Sequence, residues 1–147
     1  MDSKLIHSEN GEQTHAVILE TGDEVVACLK QFADEKGLTA ASFKAIGAFS
    51  NATLAFFDWE QKTYLPIEVN EQVEVASLTG DVALAPDGQP AVHIHAVLGR
   101  RDGSAVAGHL GRAMVRPTLE VILTESPRQL RKRFHPDVGL ALIDPDL

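Results

Sequence analysis

Three histidines have the residue type and spacing to do chemistry: His93 and His95, separated by Ile94, and His109. Side chains two apart on a strand share a face, so His93 and His95 point one way and Ile94 the other. Arg101-Asp102-Gly103 reads as a three-residue turn, with Gly103 as the left-handed residue such a loop needs. Residue 100 then pairs with 104, and His95 falls opposite His109. Directly opposed residues have Cβ atoms about 4.5–5.5 Å apart. His93 stands about 6.8 Å along its strand, two rises away. A four-residue turn would send His109 to the other face, so the convergence depends on this register.

Three neutral imidazoles suit Zn²⁺ or another divalent transition metal. Three protein ligands plus one open position is the pattern of a catalytic zinc site, whereas structural sites are closed by four. His93, His95 and His109 are therefore the candidate metal ligands, with room for water or a small-molecule ligand. The alternative is a polar patch or a subunit contact without metal. Glu120, on the following strand, is the nearest acidic candidate. It could orient a ligand imidazole from the outer shell, act as a general base, or pair with Arg112 or Arg116. His7, His15 and His135 carry no spacing signal. There is no phosphate-binding glycine loop, C-x-x-C, H-E-x-x-H or zinc-finger spacing.

The elements that must position these residues are mostly strands. Thr14 to Glu20 is a short apolar run suited to a buried strand. Thr21-Gly22-Asp23-Glu24 matches a capping box. Val25, Val26, Leu29, Phe32 and Ala33 follow at helical spacing, and Gly37 is a natural stop. The spacing predicts one helix over about 22–36, with Cys28 beside its apolar stripe. Strands follow at Ser42 to Phe49, Ala52 to Asp58, Thr63 to Val69, Val73 to Leu84 (broken by Gly80), Ala91 to Gly99, Ser104 to Leu110 and Thr118 to Thr124. Short turns between consecutive strands imply antiparallel pairing. The expected fold is α+β: a mostly antiparallel central sheet, one long early helix and short additional helices. The tail after Ser126 is expected to hold a short basic helical stretch and then irregular chain.

The chain of 147 residues fits one domain, with a core over about 14–143 and residues 1–13 as a flexible arm. The net charge is −8, which repels polyanions at long range. Eight of the thirteen basic residues lie after residue 99, including Arg128, Arg131, Lys132 and Arg133. That run reads as a solvated face. With one cysteine no intrachain disulfide can form. No stretch approaches the ~20 apolar residues of a membrane span, and MDSKLIHSEN lacks the apolar region of a signal peptide. A cytoplasmic protein with no membrane partner is expected.

From Ser77 to Glu125 the chain resembles the PPC domain, the "plants and prokaryotes conserved" domain. The resemblance rests on Ser77-Leu78-Thr79-Gly80, Asp87-Gly88-Gln89-Pro90, His93-Ile94-His95, Gly99, Gly103, Gly108-His109-Leu110 and Thr118-Leu119-Glu120-Val121. Ile46-Gly47-Ala48-Phe49-Ser50-Asn51-Ala52 is similar to the family's earlier glycine motif. The resemblance implies an α+β fold with a central antiparallel sheet, association as a homotrimer, and in some members a metal at the matching histidines. It implies a stand-alone prokaryotic type with no assigned reaction. In plants the domain follows an AT-hook that binds DNA, and prokaryotic members are labelled DNA-binding by analogy. This chain has no Arg-Gly-Arg-Pro hook, and Glu71-Gln72-Val73-Glu74 stands where plant members read Gly-Arg-Phe-Glu. With the acidic charge, this makes nucleic acid an unexpected partner. A homotrimer holding a metal is the first expectation. A DNA-binding protein and an assembly module without chemistry are the alternatives.

Overall fold

Apolar and polar residues alternate along most of this chain, and the alternation becomes sheet. In the computed structural model, which describes residues 1–147, nine strands and one helix follow in the order β1 (Asp2–Glu9), β2 (Glu12–Glu20), α1 (Val25–Lys36), β3 (Ala40–Asp58), β4 (Thr63–Val69), β5 (Val73–Leu84), β6 (Pro90–Gly99), β7 (Ala105–Glu125), β8 (Lys132–His135) and β9 (Leu140–Ile143). The first seven strands form one sheet in the order β1-β2-β7-β6-β5-β3-β4, and β7 also pairs with β3. Every pairing within the two sheets is antiparallel. The additional pairing closes β3, β5, β6 and β7 into a hydrogen-bonded circuit, which gives each of those four strands a partner on both sides.

The core collects the inward face of each strand and one stripe of the helix. Ile94, Ala96 and Leu98 of β6 and Val25, Leu29, Phe32 and Ala33 of α1 are buried in one cluster. Residues between them on β6 face outward, which is how His93 and His95 reach the surface. Cys28 is half-buried, and burial pushes its thiol pKa up. It is a packed side chain, as its place beside the stripe implies.

The sheet and the single helix agree with the expected class, and four details differ. First, there are no short additional helices. The tail is instead the β8–β9 hairpin. Its approach is fixed by backbone bonds from Leu84 N–H to Leu130 O and from Leu130 N–H to Thr39 O, which take groups a helix would need. Second, residues 2–9 form β1, paired along β2, rather than an arm. Third, α1 starts later than the capping box implies. Glu24 itself is the N-cap, its carboxylate accepting from Val26 and Ala27 N–H. Fourth, Gly80 does not break β5. A Cβ there would strike the Phe43 ring and the His93 carbonyl, so glycine permits the close strand contact behind the histidines.

Candidate metal centre

The turn after β6 sets the site. Arg100 N–H bonds to Ser104 O, and Gly103 takes φ 83°. Residue 100 is thus opposite 104, and His95 pairs directly with His109. The register read from the sequence is the observed one. The ring centroids of His93 and His95 are 5.0 Å apart, those of His93 and His109 5.2 Å, and those of His95 and His109 5.6 Å. One nitrogen from each ring lies within 4.8 Å of the other two.

The donor set fits a divalent ion. Nitrogens about 2.0–2.1 Å from a tetrahedral ion are roughly 3.4 Å apart, so the widest pair needs to close by little more than an ångström, a small side-chain rotation. His109 Nδ1 is buried with no hydrogen-bond partner. Such a nitrogen is costly to leave unsatisfied, and a bound ion is one way to satisfy it. Burial first, and then the neighbouring His93, lowers the pKa of both His95 and His109; His95 and Lys132 lower that of His109 further. Both rings are therefore neutral at pH 7, the form that ligates metal.

Three residues at the site were not expected from the sequence. Asp81, on β5, pairs opposite His93, and its Oδ2 lies 3.4 Å from His93 Nδ1. A carboxylate behind a ligand imidazole fixes the ring's orientation and tautomer. Lys132, on β8, places Nζ 3.6 Å from Asp81 Oδ1, with its side chain only 10% exposed. Burial pushes the Asp81 carboxyl up, but His93 and Lys132 together hold it below its ordinary value. The solvated reading of the Arg128–Arg133 run therefore fails at Lys132. Tyr64 of β4 stacks on His109 with centroids 4.6 Å apart.

Glu120 is not brought to the imidazoles. It lies in another hollow with Lys44, Ile46, Ser77 and Ile122, eleven residues further along β7 than His109. Neither Arg112 nor Arg116 forms an ion pair with it. His7, His15 and His135 lie on β1, β2 and β8, outside the cluster. Asp81 did have a sequence signal. If Leu84 is opposite Pro90 across the Asp87-Gly88 turn, Asp81 must be opposite His93. Lys132 had none, since its place depends on how the tail folds back.

A family model described as the Plants and Prokaryotes Conserved (PCC) domain matches residues 6–127. A plant- and prokaryote-conserved protein of Pyrococcus horikoshii is 31% identical, with 89% of this chain and 90% of that one covered and a TM-score of 0.83. A protein of Bacteroides thetaiotaomicron described as a "putative DNA binding protein" is 30% identical over 96% of both chains, with a TM-score of 0.85. A protein of Archaeoglobus fulgidus described as metal-containing is 31% identical, with 97% and 98% covered and a TM-score of 0.81. None of the curated proteins matches this chain.

Proposed function

This chain belongs to the Plants and Prokaryotes Conserved domain family, and from that premise we propose that it is a homotrimer that holds a divalent metal, Zn²⁺ by its donor set, at His93, His95 and His109. The observation that carries the metal is the convergence of three imidazole nitrogens within 4.8 Å. The Archaeoglobus fulgidus neighbour, described as metal-containing, supports it. Held there, the ion supplies Lewis acidity to whatever binds beside it. The chain's own part is to keep His95 and His109 neutral, to orient His93 through Asp81, and to balance Asp81 with Lys132. Elemental analysis of untagged protein after zinc exposure should find about one metal per chain, with little in His95→Ala. Equal content in the two proteins, or none in either, would return the histidines to a polar patch.

A second reading, duplex DNA binding, is favoured by the description of the Bacteroides thetaiotaomicron neighbour. That description runs against the expectation from charge. Affinity for duplex comes chiefly from cations that neutralise phosphates, and this chain carries a net −8. Titration of A·T-rich duplex at physiological salt distinguishes the two. Weak or no binding is expected. Submicromolar, salt-sensitive binding would establish the DNA reading.

A further inference from the structure

Two of the three histidines, His93 and His109, line a larger hollow. A cavity of about 330 Å³ opens beside His93 and His109, with Asp81, Lys132 and Tyr64 around it. β9 from Leu140 to Ile143 also lines it, and Val92 adds to the apolar lining. The volume is at the lower end of ligand cavities, about 300–1,000 Å³, which sets a small occupant. The β9 lining comes from a hairpin that lies outside residues 6–127, the stretch matched by the family model. The hollow is therefore partly built by this chain's own tail.

Charge decides the occupant's class. Asp81 and Lys132 offset each other at 3.6 Å, and imidazoles ligate metal in their uncharged form. A divalent ion at the histidines would leave two positive charges uncompensated beside the cavity, and an anion is what such a field favours. Lys132 can take part as well. Its ammonium has three donors, Asp81 faces one side of it, and the side chain is nearly buried at the cavity wall. Beside these polar groups, Val92 and Leu140, Ala141, Leu142 and Ile143 of β9 supply aliphatic lining. The polar part of the lining thus fits a carboxylate and the aliphatic part a short hydrocarbon chain.

We propose that this hollow is the binding site for a small aliphatic carboxylate, its head between the histidine-bound metal and Lys132 and its chain against β9. The inference rests on the metal reading above. Lys132 is a binding residue in it, and β9 sets the preference for chain length.

The test uses full-length protein loaded with Co²⁺, whose visible spectrum reports on the metal's surroundings without any activity. Acetate, valerate and the neutral valeramide are titrated, by spectrum and by calorimetry. Valerate should change the cobalt spectrum and bind about tenfold or more tighter than acetate and than valeramide. Compared at full cobalt occupancy, Lys132→Gln should weaken valerate by about tenfold or more, and Lys132→Arg should recover part of the loss. Equal binding of acid and amide, no binding of valerate, or indifference to Lys132→Gln would overturn the inference while a full cobalt complement leaves the metal reading standing. Failure to take up cobalt would overturn both, and the stoichiometry alone tells the cases apart. Should Lys132→Gln not fold, the acid–amide and valerate–acetate comparisons on the wild-type protein still decide.

Discussion

His15 is the one polar side chain among the buried residues, 4% exposed, and its Nε2 has no hydrogen-bond partner. Its ring packs edge-on against Phe32 at 5.4 Å. Burial first, and then the Lys36 ammonium, lowers its pKa from 6.5, and Glu125 only partly opposes them. Below about pH 6.5 the unfolded chain takes up a proton that the folded chain resists, so stability falls as pH drops through that range. His15→Phe keeps the ring and removes the titration. Its melting temperature between about pH 7 and 5 should decline less steeply than that of the wild type in the same buffers. Parallel slopes would mean that His15 does not titrate on unfolding. His15 also marks a limit of sequence reading at this scale, because nothing in Thr14-His15-Ala16 distinguishes a buried histidine from an edge one. The histidine cluster was legible because strand alternation and one glycine turn fix three side chains within seventeen residues. Asp81 required a second turn to be registered, and Lys132 required a fold-back that no local pattern encodes.

The start of α1 shows how an element can be read correctly and bounded wrongly. Thr21 and Glu24 have capping-box spacing, yet the helix begins after Glu24. Tertiary structure decides this. Glu24 Oε1 accepts Ala113 N–H of β7 at 3.1 Å as well as Val26 N–H, and Oε2 accepts Ala27 N–H. Thr21 turns away and donates to Pro117 O. The two assignments predict different mutants. Glu24→Ala strands three N–H groups and should cost about 2 kcal/mol or somewhat more. Glu24→Gln, which keeps one acceptor oxygen, should recover part of that. Thr21→Ala, on the surface, should change stability by about 0.5 kcal/mol or less. Urea unfolding of the three variants measures this, and a Thr21→Ala loss as large as that of Glu24→Ala would restore the capping box. The long strands teach the same lesson. Ser50-Asn51 and the stretch Gly111 to Pro117 look like breaks, but β3 and β7 run through them and take up the irregularity as register shifts. The hairpin strands β8 and β9 have four residues each, too few for a period of two to stand out against a basic helical pattern.

At the scale of the molecule, the proposed trimer must cover apolar surface that the single chain leaves open. Ile46 is 63% exposed and Ile122 38% exposed, although both lie in strands of the closed circuit. They share one hollow with Leu78, Lys44 and Glu120. Large exposed aliphatic side chains set together on a sheet, and rimmed by charge, are the usual mark of a surface that meets another protein. A second copy suits this hollow because Lys44 and Glu120 bring opposite charges that a symmetry-related partner can match. Each added copy also brings the same net −8, so the contact must be apolar enough to overcome repulsion, and raised salt should strengthen it. Ile46→Glu puts a further carboxylate beside Glu120 in every copy. The monomer should tolerate it, since Ile46 is outside the core and surface substitutions move stability little. Light scattering should therefore give a trimer mass for the wild type and a smaller mass for Ile46→Glu, with an unchanged circular dichroism spectrum. A wild-type monomer at micromolar concentration would remove the trimer. A trimer that survives Ile46→Glu would place the subunit contact on another face of the sheet.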